Sequence, residues 1–288
     1  MLVIIGVIVV CAAVFGGFGL EGGNFHVLFQ PVELLIIGGA AGGSLLISCP
    51  PELLKNIVTQ SMGTLKTAGA SKAEYLDLLN LLFELCKMAK NNPLSIEAHV
   101  EKPDESEIFK RYPGVTRNHH AVDFLCDTLK VQVSSSLAPY DLEGLMDTDI
   151  QTLHAEEHRA PTAVTRVGDA MPGLGIVAAV LGVVITMGKL TEGKEVIGHS
   201  VAAALVGTFL GILASYGFFQ PLAAKMEGNI AADGKFFDVI KATLVAMAKD
   251  CSPKICVEYG RRTIPPSVRP SFKELDEATA SAKSGKAA

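Results

Sequence analysis

The spacing most suggestive of chemistry in this sequence is that of two histidines and a glutamate, at His154, Glu157 and His158. Zinc peptidases of one class carry this H-x-x-E-H pattern, in which two imidazoles four residues apart on a helix share the metal. Such a site needs a further acidic ligand in a closed cleft, and this segment is highly charged throughout. The favoured interpretation is a solvated helix face, and we expect no metal site.

Other catalytic signatures are missing from the sequence. It contains no phosphate-binding G-x-x-x-x-G-K-[ST] loop, no G-x-S-x-G elbow and no dinucleotide fingerprint. The net charge of −5 argues against a nucleic-acid partner, which requires a basic surface. The six cysteines form no C-x-x-C pair, which favours free thiols in a reducing compartment. We therefore expect neither an enzyme nor a bound cofactor.

Four long stretches without Asp, Glu, Lys or Arg must position whatever polar groups the chain uses. They cover residues 1–20, 34–49, 170–188 and 196–224. A helix rises 1.5 Å per residue, so about 20 apolar residues cross a hydrocarbon core of about 30 Å. A cleavable signal peptide would require a basic residue before the first stretch, and none is present. The pattern predicts an all-α integral membrane protein with four transmembrane helices.

The distribution of basic residues predicts how these helices are oriented. All but two of the 25 Lys and Arg residues fall in residues 50–168 and 225–288; the exceptions are Lys189 and Lys194 in the link between the last two spans. Basic segments stay on the cytoplasmic side of the membrane. We expect the inner membrane to hold residues 1–49 and 169–224, with a cytoplasmic helical domain at 50–168 and a cytoplasmic helix and tail at 225–288.

The spans contain small residues four positions apart, as at Gly38 and Gly42 or at Gly207 and Gly211. Such spacing lets membrane helices approach closely. Packing within one chain explains part of it, but the number of such faces favours an oligomer or a partner helix.

Asp, Glu, Lys and Arg are missing from the predicted spans, with Glu33 placed at the edge of the second and His199 near the start of the fourth. A proton relay in a membrane requires a titrating group at depth, so a second polypeptide would have to supply it. Thr208 is a candidate to line an ion or water path, although such hydroxyls usually bond to their own helix. Pro172 is expected to open the third span, and Pro221 to create a kink or hinge near the end of the fourth.

The cytoplasmic segments read as a small helical bundle. Ser71 and Glu74 form a capping box before an amphipathic helix at residues 75–89. Further helices are predicted after Leu94, at 118–129 and at 141–158. The last stretch, after Phe272, is rich in Ala, Ser and Lys, and its end is expected to be disordered.

Several motifs together resemble the MotA family of flagellar stator subunits. The stretch MPGLGIVAAVLGVV at 171–184 resembles the family's third span, and VGTFLGIL at 206–213 with YGFFQPL at 216–222 resembles the fourth. Similar motifs stand at 14–17, 30–33, 105–109, 145–147 and 269–274. The likeness extends from residue 1 to about residue 277.

The resemblance implies a subunit of the flagellar motor that, in about five copies, surrounds two copies of MotB. A membrane aspartate of MotB would carry the ion, which fits the missing carboxylate here. Pro172 and Pro221 match the family's two functional prolines, which couple ion passage to movement. The charged residues that act on the rotor protein FliG fall on Lys90 and Glu97, where lysine replaces the family's arginine, and a further acidic residue falls on Asp149.

The resemblance also suggests which ion is used. Sodium-driven relatives carry a threonine in the third span, opposite another in the fourth, whereas this chain has Ala179 and Thr208 at these positions. A methyl group offers no oxygen to Na⁺, which favours H⁺ as the transported ion.

Three alternatives stay open at this point. An energiser subunit like ExbB or TolQ is expected to have three spans rather than four. A secondary transporter is expected to bury polar substrate ligands at mid-membrane and to show internal repeats, and neither is apparent. A non-conducting membrane scaffold fits the sequence as well.

Overall fold

A computed structural model of the chain describes residues 2–66, 68–188 and 194–283. These residues form fifteen α-helices, one 3₁₀-helix and one π-helix, and no strand occurs among them. The α-helices are α1 Leu2–Leu20, α2 Phe25–Leu28, α3 Pro31–Ser48, α4 Pro51–Gly63, α5 Lys72–Asn91, α6 Glu97–Glu101, α7 Glu107–Lys110, α8 Pro113–Thr116, α9 His119–Ser135, α10 Pro139–Glu157, α11 Arg159–Met187, α12 Lys194–Ile212, α13 Gln220–Ala248, α14 Pro253–Thr263 and α15 Phe272–Lys283. The 3₁₀-helix is Pro93–Ile96 and the π-helix is Leu213–Phe219.

The predicted all-α membrane fold is confirmed. Within the described ranges, four helical stretches are long and apolar enough to cross a membrane: Leu2–Leu20, Phe25–Ser48, Pro139–Met187 and Ser200–Ala248. The last two outrun the predicted apolar stretches because α11 begins before its apolar part and α13 continues after its own. Most of the predicted link between the last two spans, residues 189–193, lies outside the described residues, and so does the end of the tail at 284–288.

The chain divides into two compact units. The first, called here the span unit, comprises Met1–Thr67 and Glu157–Asn229. The second, called the bundle unit, comprises Ala68–Glu156 and Ile230–Ala288.

In the span unit, α11 and α12 pack through glycines that face the backbone of the opposite helix. A methyl group placed at Gly175 would lie 2.7 Å from the carbonyl oxygen of Gly207, and one at Gly211 would lie 2.5 Å from that of Met171. Both distances are too short for carbon and oxygen, so only glycine permits this approach. Here the small residues serve packing within the chain.

The glycines of α3 differ from those of α11 and α12. A methyl group at Gly38, Gly39, Gly42 or Gly43 would meet no described atom within 4 Å. Their small faces are therefore open in the single chain, and the oligomer or partner helix predicted from them stays a prediction.

The bundle unit is built on the apolar face of α5. Its core buries completely Leu78, Leu82 and Leu85 of this helix, together with Phe109, Leu125 and Ile240 from other helices. The predicted capping box begins α5: the Ser71 backbone N–H donates to Glu74 at 2.7 Å, and the Glu74 N–H donates to the Ser71 hydroxyl at 3.3 Å. Two otherwise unpaired donors at the helix start are satisfied in this way.

Candidate functional site

The interface of α11 and α12 brings together two of the predicted ion-path residues. The backbone nitrogen of Ala179 lies 3.3 Å from a methyl group placed at Gly207. The Cα atom of Thr208, the next residue on α12, lies 3.2 Å from a methyl group placed at Gly175. Ala179 and Thr208 thus stand on facing turns of two closely packed helices, as the resemblance implied, while their role in ion passage stays a prediction.

A third helix places a carboxylate at the same interface, and the prediction that no such group lies within a span is wrong. Glu33 belongs to α3, inside the candidate span Phe25–Ser48, and its side chain is only 7% exposed. Its Oε2 atom lies 2.8 Å from a methyl group placed at Gly207, and its Oε1 atom 3.7 Å from one placed at Gly182. The two glycines on neighbouring helices therefore make the space that the carboxylate occupies.

The error at Glu33 has a physical cause. The uncharged run was counted from residue 34, but α3 begins at Pro31, a residue suited to a first helical turn. The helix therefore includes Glu33 and turns it towards α11 and α12. The signal available in the sequence was the pair Gly182 and Gly207, since small residues on two facing spans leave room for a larger side chain from a third.

Two other polar groups in the spans differ in their bonding. The Thr186 hydroxyl donates to the Gly182 carbonyl at 2.8 Å, which is the bonding to the own helix expected of such residues. The Ser215 hydroxyl is 1% exposed and has no hydrogen-bond partner among the described residues. Ser215 follows Gly207 and Gly211 at intervals of four along one helix face.

Pro172 does not open a span as predicted. It lies inside α11, thirteen residues after Arg159, where the helix begins. Since proline has no N–H, the carbonyl of Gly168 loses its usual partner at this point. The prediction was wrong because the helical signal of the charged segment before residue 170 was assigned to a separate domain.

Pro221 lies just after a rare element, the π-helix Leu213–Phe219. In this segment the N–H of Gln220 reaches back five residues to the carbonyl of Ser215. Pro221 follows as the second residue of α13, and because this helix continues directly from the π-helix, the missing N–H of the proline leaves a carbonyl of that segment without its usual partner. The expected irregularity near Pro221 takes the form of a wider helical turn, a feature frequent at functional sites.

A polar contact that the sequence did not reveal connects the neighbourhoods of the two prolines. The side-chain amide of Gln220 donates a hydrogen bond to Asp169 at 2.6 Å. Next to it, a methyl group placed at Gly168 would lie 3.1 Å from the Cβ atom of Phe219. The start of the Pro172 segment and the end of the π-helix are therefore in contact.

The three predicted rotor-facing residues lie in the bundle unit. Lys90 is in the last turn of α5, and its Nζ atom lies 3.5 Å from Asp250 Oδ1 and 3.4 Å from the Asp250 carbonyl oxygen. Glu97 begins α6 and Asp149 lies on α10, both with exposed side chains. All three are accessible in the unit, and Lys90 has an internal partner that the sequence did not indicate.

The chain is similar to proteins of known families. Residues 4–93 match the model of the motility protein A N-terminal family, and residues 117–235 match that of the MotA/TolQ/ExbB proton channel family. The chain is 39% identical to motility protein A of Escherichia coli over 96% of its own length and 94% of that protein. It is 35% identical to chemotaxis protein LafT of Vibrio parahaemolyticus over 95% of its length and 96% of LafT.

The fold is also shared with a solved structure. A structure of C. jejuni MotAB matches with a TM-score of 0.75 and 20% identity, covering 94% of this chain and 98% of that one.

Proposed function

The chain belongs to the motility protein A family, and from that membership we propose that it is a stator subunit of the bacterial flagellar motor. With a MotB-like partner it forms a complex that conducts protons and converts their flow into torque on the rotor. Ion transport coupled to movement, rather than catalysis, is its activity.

The observation that carries this proposal is the α11–α12 interface with Glu33 of α3 against it. Three spans meet there through glycines, and the motifs that resemble the family's third and fourth spans supply the contact surfaces. Such close backbone packing suits the wall of a conduit whose shape depends on small helix movements.

The MotB-like partner is a single-span protein whose membrane aspartate carries the proton. The C. jejuni match is a complex that contains both MotA and MotB, which supports a partner of this kind. The open glycine face of α3 is a suitable surface for another helix, and we propose that about five copies of this chain surround the partner.

The bundle unit is proposed to act on the rotor protein FliG through Lys90, Glu97 and Asp149. Movement would reach it from the two prolines, whose neighbourhoods touch through Asp169 and Gln220. The proposed location is the inner membrane, with residues 50–168 and 225–288 in the cytoplasm, as the basic residues favour.

An ExbB- or TolQ-like energiser is the nearest alternative within the superfamily. The fourth apolar helix, in Ser200–Ala248, and the 39% identity to a motility protein both favour the stator.

Proton flux into vesicles tests the proposal. The chain reconstituted with its MotB-like partner should acidify the lumen under an imposed potential, and the chain alone should stay silent. A partner variant with asparagine in place of its membrane aspartate is the matched control, and it should also be silent. Equal flux with and without the partner would overturn the proposed division of labour.

A further inference from the structure

Glu33 occupies a built site in the span unit. Its carboxylate lies between α11 and α12, with Oε2 facing Gly207 and Oε1 facing Gly182. Around these glycines lie Ala204, whose Cβ atom is 2.9 Å from a methyl group placed at Gly182, and Ala178, whose Cβ atom is 3.2 Å from one placed at Gly207. Any side chain at either glycine would collide with a neighbour, so the space admits this one carboxyl group.

Within this site one oxygen of the carboxylate has no partner in the described part of the chain. Glu33 is only 7% exposed, and its Oε2 atom has no hydrogen-bond partner among the described residues. An ionised carboxylate without a partner in a low-dielectric site carries a large desolvation penalty, which the neutral acid avoids. Ionisable residues inside membrane helices are retained for function as a rule.

On the helices packed against α3, the charged residues and histidine are at least eight positions along the chain from Gly182 and Gly207. On α11 they are Arg159, Arg166 and Asp169; even Asp169 precedes Gly182 by thirteen residues, about 20 Å along the helix. On α12, Lys194, Glu195 and His199 occur at least two turns before Gly207 in the sequence. The residues that the glycine geometry places beside the carboxylate are Gly182 and Gly207, with Ala178 and Ala204 next to them.

We propose that Glu33 is a proton-binding site of this chain itself. The carboxyl group holds a proton while α3, α11 and α12 are packed together. When these helices separate and water enters, the proton passes to a water molecule and leaves a solvated carboxylate. The ligand that we assign is H⁺, which a single carboxyl group can hold, whereas a metal cation requires several oxygen ligands.

This inference deepens the proposed function. Only the role of the site in conduction rests on that function. A proton held here lies beside Gly207, which is next to Thr208 in α12 and packs against Ala179 of α11. Glu33 would then exchange protons with the path when the helix interface opens. Conduction still requires the partner, since a single site does not span the membrane.

Infrared difference spectroscopy on the purified complex tests the site without relying on ion flow. Wild type, Glu33→Gln, Glu33→Asp and the control Glu21→Gln are compared at neutral pH in H₂O and D₂O; Glu21 is an exposed carboxylate in the loop after α1. Besides the signal of the partner's membrane aspartate, we expect one protonated carboxyl signal per copy of this chain that shifts in D₂O. It should be lost in Glu33→Gln, shifted but present in Glu33→Asp, and unchanged in Glu21→Gln.

The inference is overturned if Glu33→Gln does not reduce the protonated carboxyl signal below that of wild type, or if Na⁺ at constant pH converts the Glu33 signal to that of an ionised carboxylate. Thermal melting of each variant shows that the comparison concerns folded protein, and the isosteric glutamine preserves the packing. Failure of the stator function is a separate result: a complex with the Glu33 signal but without partner-dependent flux keeps the proton site and removes the proposed motor role.

Discussion

Gln220 donates a 2.6 Å hydrogen bond to Asp169, and the two residues stand next to the two prolines of the fourth and third spans. Asp169 precedes Pro172 by three residues, and Gln220 immediately precedes Pro221. Each proline weakens the regular bonding of its own helix, so a contact between the two weakened segments makes their positions interdependent. A shift of one segment is therefore transmitted to the other.

Replacing Gln220 by alanine or by glutamate should lower motor torque. Alanine removes the donor, and glutamate places a second negative charge against Asp169, so the loss should be greater in Gln220→Glu. The bond is exposed and worth about 1 kcal/mol in stability, so folding should survive. Swimming speed and the rotation of tethered cells are the measurements.

A double-mutant cycle with Asp169→Asn supplies the control. If the contact carries the effect, the two single changes should not add in the double variant. Strictly additive losses would mean that Gln220 and Asp169 act separately.

The glycines of α11 and α12 should tolerate no side chain. Gly211→Ala or Gly175→Ala places a methyl group within 2.7 Å of a backbone oxygen, and backbone must shift to admit it. Overpacking of this kind costs about 1–3 kcal/mol. Thermal unfolding of the purified chain in detergent should show the loss.

Gly38→Ala is the matched control for these variants, because nothing described lies within 4 Å of a methyl group there. The melting temperature of the isolated chain should be unchanged. If Gly38→Ala nevertheless weakens the assembled complex, the open face of α3 is a contact with another chain. Equal destabilisation of the isolated chain by all three changes would contradict the packing described here.

Much of the architecture was predictable from the sequence because local signals and tertiary packing agree. Residues 71–89 contain a capping box and a 3.6-residue apolar period, and both reappear in α5. The four spans follow from uncharged length alone. Where the local pattern and the tertiary packing agree, the sequence pattern alone predicts where a helix lies.

The predictions for Glu33 and Pro172 are wrong because the sequence does not show where their helices begin. Charge marks where an apolar run stops, but α3 begins before that point and α11 begins eleven residues before residue 170. The contacts of Glu33 with Gly207 and of Asp169 with Gln220 join residues far apart in sequence, and no local pattern encodes them.

The Lys90–Asp250 pair separates two explanations of a charge-reversal phenotype. Lys90→Glu should reduce torque without affecting assembly, because a surface pair of this exposure contributes only about 0–1 kcal/mol to stability. If Lys90 acts on the rotor, adding Asp250→Lys should not restore torque. Lys90→Arg, which keeps the charge, is the control and should rotate normally.

Restoration of torque by the double reversal Lys90→Glu with Asp250→Lys would show that the internal pair matters rather than a rotor contact. Unchanged motility in Lys90→Glu and in Glu97→Lys would remove both residues from the proposed rotor surface.

The stability of the bundle unit should depend on Glu258 at acid pH. Hydrogen bonds from Arg261, at 2.7 and 2.8 Å, and from Arg262, at 2.8 Å, lower the pKa of this carboxyl group to about 2. The unfolded value is about 4.3, so the stabilisation is present above that pH and disappears as the pH falls through about 2. Glu258→Gln should lower the free energy of unfolding by about 2 kcal/mol at pH 7, and its stability should decrease less than that of wild type as the pH falls. Glu97→Gln changes an exposed residue at the start of α6 and should match wild type.

Ala179 offers the sharpest test of the transported ion. In this chain the residue of α11 on the turn facing Thr208 carries only a methyl group, so the third span adds no side-chain oxygen there to the Thr208 hydroxyl and the Glu33 carboxylate. Wild-type swimming should therefore stop when a proton uncoupler is added and should be indifferent to the Na⁺ concentration. Ala179→Thr adds a second hydroxyl opposite Thr208 and should slow proton-driven rotation. Ala179→Ser is the variant with a smaller hydroxyl side chain. Ala179→Val is the control, because valine has the shape of threonine and adds volume without an oxygen. If the swimming speed of wild type increases with the Na⁺ concentration and is unaffected by the uncoupler, the proposed ion is wrong, whatever the variants do. If Ala179→Thr and Ala179→Val slow rotation equally, side-chain volume rather than ligand chemistry governs this position.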